Sequence, residues 1–188
     1  MIYGGGMAGT FLAKKLCKDF AVTLVDSNEY FEIPMATPRS IVEPNFAEQA
    51  MIPFSQALPQ AKHLQGKLLE LKPDYTGIVR LKTGKEIALT ADITVLATGS
   101  HFSNTLVRGQ DQTKQERQAF YQTFSRAIQQ AHNILLVGGG PIGVELAGEI
   151  NDLYPSKSIT MIESQQRLVM GTSAKVSAYI EQDFKRRG

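Results

Sequence analysis

The feature that most constrains this chain is a glycine signature that occurs twice. Gly4-Gly5-Gly6-Met7-Ala8-Gly9 and Gly138-Gly139-Gly140-Pro141-Ile142-Gly143 both read G-x-G-x-x-G. Each follows a short apolar run, Ile2-Tyr3 in the first case and Ile134 to Val137 in the second. Each opens a helical pattern, from Gly9 to about Lys18 with Phe11, Leu12 and Leu16 on one face, and from Val144 to Tyr154. A second β-rich run comes next, Ala21 to Val25 or Ile159 to Ile162, and ends in an acid. Asp26 lies 22 positions after Gly4, and Glu163 lies 25 positions after Gly138. Strand, glycine turn, helix, strand and acid together make one βαβ mononucleotide unit. A lone signature recurs by chance, but two in full context predict an α/β chain built from tandem Rossmann-like units.

The residue types explain the pattern chemically. The first glycine permits a tight strand-to-helix turn, the second lets backbone N–H groups approach a pyrophosphate, and the third packs helix against strand. The helix N-terminus then presents unpaired donors and the positive end of its dipole. The acid at the strand tip can accept hydrogen bonds from ribose hydroxyls. Two such sites in one chain suggest a relay, in which a nicotinamide delivers hydride to a bound flavin.

Between the signatures the pattern changes. Lys67 to Lys72, Ile78 to Leu81 and Ile87 to Leu89 are short strands separated by the turns Pro73–Gly77 and Thr83-Gly84, as in an antiparallel meander. Ile93 to Ala97 is a continuous apolar run, expected to be a buried parallel strand ending at Thr98-Gly99. Gln110 to Ala131 reads as a long polar helix with Phe120, Phe124 and Ile128 on one stripe, and Ser173 to Arg187 as a final amphipathic helix. The first strand is unusually short before its turn, so Met1 reads as a start placed inside it.

Other functions are excluded by what surrounds these units. A net charge of +2 over 188 residues gives no electrostatic case for nucleic acid or an anionic membrane. Cys17 is the single cysteine, which rules out an internal disulfide and a Cys-x-x-Cys pair, and it reads as buried filler. His63, His101 and His132 are scattered without partners at ligand spacing. No run approaches the ~20 apolar residues needed to span a bilayer. These features suggest a cytoplasmic chain, with peripheral contact at a membrane left open.

Beyond the two signatures, further motifs carry a resemblance: Val25-Asp26-Ser27-Asn28-Glu29-Tyr30-Phe31, Pro38-Arg39-Ser40-Ile41-Val42-Glu43 with Phe46-Ala47, Ala97-Thr98-Gly99, and Val144-Glu145-Leu146-Ala147-Gly148-Glu149-Ile150. With them the chain resembles the two-dinucleotide-binding-domain flavoproteins of the pyridine nucleotide-disulfide oxidoreductase fold. Within these it is most similar to AIF-like, ferroptosis-suppressor-type NAD(P)H:quinone oxidoreductases and to type II NADH dehydrogenases. The resemblance implies an FAD-binding part over residues 1–104 and an incomplete NAD(P)-binding part over 105–188.

It also implies roles. Gly4, Gly5, Gly6, Met7, Ala8 and Gly9 would hold the FAD pyrophosphate and Asp26 the adenosine ribose. Arg39 would meet the flavin cofactor, the backbone of Leu68 the adenine, and Thr98 and Gly99 the FAD side of their strand end. Gly138, Gly140, Pro141, Ile142 and Gly143 would hold NAD(P)H. Glu163 favours NADH by repelling a 2′-phosphate, although Arg167 could reach such a phosphate. Glu145 would lie near the flavin and nicotinamide rings as the catalytic candidate. No Cys-x4-Cys pair is present, so electrons are expected to pass from flavin to a diffusible acceptor, a quinone. The family's later Gly-Asp segment is missing, so the chain reads as the N-terminal half of such an enzyme. The alternative reading is a non-catalytic nucleotide-binding module or sensor with an incomplete FAD site.

Overall fold

In the computed structural model, which describes residues 1–100 and 113–187, the chain forms two compact units. The first comprises Met1–Pro34 and Glu48–Gln118, the second Met35–Ala47 and Ala119–Gly188. The sequence-based boundary between residues 104 and 105 lies outside the described residues, as does His101. In chain order the elements are β1 (Ile2–Tyr3), α1 (Met7–Leu16), β2 (Thr23–Asp26), β3 (Tyr30–Glu32), α2 (Thr37–Val42), α3 (Ala47–Ala50), β4 (Met51–Pro53) and α4 (Phe54–Ala57). There follow β5 (Lys62–Leu71), β6 (Gly77–Leu81), β7 (Glu86–Leu89), β8 (Val95–Leu96), α5 (Lys114–Gln130), β9 (Asn133–Val137), α6 (Pro141–Leu153), β10 (Ser158–Ile162) and α7 (Ala174–Arg187).

The first unit is built on a six-stranded sheet in the order β7-β6-β5-β2-β1-β8. β1 is parallel to both neighbours, with Ile2 opposite Leu24 and Val95. Two residues suffice for this strand because both of its edges are paired and both of its faces are covered. Ile2 and Leu24 pack with Ala13, Val22, Phe31, Phe54 and Leu58 on one face. Tyr3 and Val25 pack with Val79 on the other. Each such aliphatic side chain contributes about 1.5–3 kcal/mol on burial. Burial also pushes the Tyr3 phenol above its ordinary pKa. The expected meander forms as β5, β6 and β7, paired antiparallel. It begins earlier than the pattern suggested, because Lys62 to Gln65 first pair in parallel with β2 before β5 turns to β6.

One expectation is corrected. The run Ile93 to Ala97 gives only β8, and Ile93 and Leu96 are 59% and 58% exposed. The strand is parallel to β1 as expected, but it ends the sheet order and so lacks a second neighbour to cover it.

In the second unit β9 and β10 pair in parallel over five residues, from Asn133–Ser158 to Val137–Ile162. α6 packs on both strands and also against α2. Buried Ser125 of α5 donates to the Val42 carbonyl at the end of α2, at 3.0 Å. Along α5 the aromatic stripe is secondary. Phe120 and Phe124 stack at 4.8 Å but stay half-buried, whereas Arg117, Tyr121 and Ser125 are the buried positions. Buried polar groups are tolerated when paired. In the first unit the Arg117 guanidinium, 0% exposed, donates to Glu32 at 3.0 Å. Among the described residues no helix is long and apolar enough to cross a membrane.

Candidate nucleotide-binding site

The two glycine signatures adopt the same local geometry, one in each unit. Gly4 and Gly138 have φ of +105° and +109°, the region that a side chain disfavours. Their amides donate to main-chain carbonyls of the neighbouring strand, Gly4 to Val25 O and Gly138 to Ile162 O, both at 2.8 Å. A Cβ on Gly9 would overlap the Gly4 carbonyl, and one on Gly143 would overlap the Gly138 carbonyl. Glycine at the third position of each signature is therefore what allows helix and strand to meet.

The acids are engaged in the same way. Asp26 Oδ2 accepts from the Gly5 amide at 2.5 Å, while Oδ1 accepts from the Asn28 amide at 2.8 Å. Glu163 Oε2 accepts from the Gly139 amide at 2.6 Å, while Oε1 accepts from the Gln165 amide at 2.8 Å. The Gln165 and Gly139 amides hold the Glu163 carboxyl below the usual carboxylate range. A carboxylate has about four acceptor positions. Two amides leave room for hydroxyl donors on either acid.

α1 and α6 both begin at a glycine N-cap with no side-chain cap, and neither has an acid in its first turn. The first turn-closing bonds are Thr10 N to Gly6 O and Val144 N to Gly140 O. The amides ahead of them are the orphan donors of a helix start, and the positive dipole end is not neutralised. A cradle that a Cβ would fill, uncapped amides and an adjacent acid fit a nucleotide diphosphate-ribose. The geometry is that of a protein with two dinucleotide-binding turns.

The other expected residues divide between the units. In the first unit, a Cβ on Gly4 would overlap the Ala97 carbonyl and approach the Thr98 amide, which brings the Ala97-Thr98-Gly99 segment against the first turn. Gly99 has φ +69°. Leu68 lies in β5 at a register irregularity, with its side chain packed beside Tyr3, Val25 and Val79. Arg39 and Glu145 belong to the second unit, on the mutually packed helices α2 and α6, and both are exposed. Arg39 pairs with Glu43 at 3.3 Å and lies over the Phe46 ring at 4.7 Å. Arg167 is turned into its own loop, donating to Ser177 Oγ and to the Met170 and Thr172 carbonyls.

Sequence reasoning missed three supporting residues. Buried Thr10 donates from Oγ1 to the Gly5 carbonyl at 2.8 Å, and Phe54 lies where a Gly5 side chain would be. Val169 donates its amide to Gly139 O at 2.8 Å. Thr10, next to the last glycine of the signature, could have been found as a local hydroxyl. Phe54 and Val169 are too far along the chain for any spacing rule. Cys17 is half-buried rather than fully buried, and desolvation raises its thiol pKa. Among the described residues no three His, Cys, Asp or Glu side chains converge as a metal site.

Comparison with known proteins places this geometry in a family. The chain belongs to the pyridine nucleotide-disulphide oxidoreductase family, whose model matches residues 1–188. It is 36% identical to apoptosis-inducing factor homolog A of Dictyostelium discoideum, over 100% of this chain and 47% of that protein. It is 31% identical to ferroptosis suppressor protein 1 of Xenopus laevis, over 88% of this chain and 43% of that protein. The fold also matches NDH2 of Plasmodium falciparum in complex with NADH, with TM-score 0.72 and 16% identity over 99% of this chain and 46% of that one. The chain thus spans less than half the length of these relatives. The family and its NADH-bound structural neighbours are FAD-dependent NAD(P)H oxidoreductases.

Proposed function

We propose that this chain supplies both nucleotide sites of an FAD-dependent oxidoreductase that takes hydride from NADH and passes electrons to a quinone. The observation that carries this reading is the duplicated turn, matched in φ, helix-to-carbonyl contact and acid-to-amide bond. Gly4 to Gly9 hold the FAD pyrophosphate through the amides at the start of α1, and Asp26 accepts from its ribose. Thr98 and Gly99 line the same pocket, and the Leu68 backbone meets the adenine. Gly138, Gly140, Pro141, Ile142 and Gly143 hold the NADH pyrophosphate, and Glu163 accepts from the ribose that carries its adenine. When bound, FAD would supply a hydride acceptor for the nicotinamide and an electron donor for the quinone.

Arg39 on α2 and Glu145 on α6 both lie in the second unit, on helices that pack together. Arg39 binds the flavin cofactor, and Glu145 orients the nicotinamide amide. The quinone acceptor rests on the likeness to ferroptosis suppressor protein 1.

The test is a crossed binding experiment on the full chain. Asp26→Asn should lose FAD affinity and keep NADH, whereas Glu163→Gln should lose NADH affinity and keep FAD. A common loss of both ligands in either variant, or the reversed pattern, would overturn the assignment of the two turns. Glu163→Gln should also narrow the preference for NADH over NADPH by about tenfold, as expected for a charge-assisted hydrogen bond near 1.4 kcal/mol or more.

A further inference from the structure

The loop after β10 is tied to the second glycine turn more tightly than a connection requires. Val169 has φ +43°, a conformation in which a β-branched residue is an outlier held only by its surroundings. Its amide donates to Gly139 O at 2.8 Å, and Leu168 Cδ2 fills the space where a Gly139 side chain would be. Gly139 is the residue whose amide binds Glu163. Arg167 holds the far side of the loop. Its Nη1 donates to Ser177 Oγ at 2.7 Å, and its Nη2 donates to the Met170 and Thr172 carbonyls at 3.1 and 2.9 Å. Ser177, 2% exposed near the start of α7, in turn donates to the Leu168 carbonyl at 2.6 Å. The chain of contacts runs from α7 through Arg167 and the strained loop to Gly139 and Glu163, all within the second unit.

We propose that Arg167 is a positioning residue of the second nucleotide site and not a ligand for a 2′-phosphate. It clamps Leu168–Thr172 against Gly139, which fixes the amide that aims Glu163 at the adenosine ribose. This deepens the functional reading above and rests on it. Three of the guanidinium's N–H donors are committed to two carbonyls and a buried hydroxyl, so selection against NADPH is assigned to Glu163. Because the clamp acts through Glu163, which accepts from the ribose hydroxyl of NADH and repels a 2′-phosphate, loosening it weakens NADH more than NADPH and narrows the preference between them.

The experiment measures dissociation constants of NADH, NADPH and FAD for the full chain, with the thermal midpoint of each variant, for Arg167→Met and Ser177→Ala. Arg167→Met should weaken NADH, roughly tenfold to a hundredfold as for a modest misplacement of contact groups, and NADPH by less. The preference for NADH over NADPH should narrow, and FAD affinity should not change. Ser177→Ala removes the hydroxyl shared by Arg167 and Leu168 and should act in the same direction but less strongly. It carries the test by itself if Arg167→Met does not fold. Selective loss of NADPH, or wild-type NADH affinity in whichever variants fold, would overturn the clamp. A wild-type chain that binds no NADH would instead overturn the underlying functional reading.

Discussion

Two glycines on α6 make opposite predictions for the same substitution. At Gly143 an added methyl group overlaps the Gly138 carbonyl, whereas at Gly148 nothing lies within 4 Å of the added group. Both positions are inside one helix, Pro141–Leu153, so both alanines gain the same helix propensity, about 0.5–1 kcal/mol over glycine. That gain cancels when the variants are compared with each other. The remainder is the cost of forcing α6 away from its turn, about 1–3 kcal/mol for overpacking a close contact. Gly148→Ala should therefore be more stable than wild type, and Gly143→Ala less stable than Gly148→Ala by that difference. For a chain of this size the melting points should differ by roughly 2–12 °C. Urea unfolding should show the same order at unchanged m. NADH affinity should fall in Gly143→Ala only. If Gly143→Ala matches or exceeds Gly148→Ala in stability, the helix-to-carbonyl contact does not set the turn.

Three further outcomes follow from individual contacts. Gly9→Ala places a methyl group on the Gly4 carbonyl and should reduce FAD affinity in the first unit while leaving NADH affinity intact, read by parallel titrations. The Glu163 carboxylate is lowered from its ordinary 4.5, so its anion persists as pH falls through that value. Its contribution to the fold and to NAD⁺ binding is full above pH 4.5 and declines only as pH drops through the lowered value; a half-loss of NAD⁺ affinity at or above pH 4.5 would contradict it. Arg117→Met removes the buried guanidinium 3.0 Å from Glu32 and should lower stability by about 3–5 kcal/mol, as measured by urea midpoints.

What could be read from the sequence was the part that local geometry decides. A glycine needed at positive φ, a helix starting within a few residues and an acid at the next strand tip all leave marks at fixed spacing, so the glycines and the acid of both turns were legible. The strands of the meander were legible for the same reason, since alternation and turn residues act over a handful of positions. The rest depends on partners distant in sequence. Thr37–Val42 lies between the two strands of a β3–β4 pair in sequence yet packs with α6 and bonds Ser125 of α5, residues far along the chain. β8 is apolar enough for a central strand, but its place at the end of the sheet order is a fact of topology that its own composition cannot encode. Arg117 reads as a solvated helix cation until Glu32 is beside it.

Arg167 shows how this limit bears on function. From sequence alone, a cation four residues past the acid of the second site was a candidate for a 2′-phosphate, because charge and spacing were the only available signals. In the structure its donors are directed at Met170 O, Thr172 O and Ser177 Oγ. Charge near a site therefore does not define a ligand group; the acceptors that already hold it do. The same argument applies in reverse to Asp26 and Glu163. Each carboxylate already binds two amides. Those bonds fix where the remaining lone pairs point, so in the function proposed above the acids select a ribose through orientation as well as through charge. Asn and Gln keep the size and one acceptor oxygen but not the second, so neutralising either acid should also loosen the glycine turn that it braces.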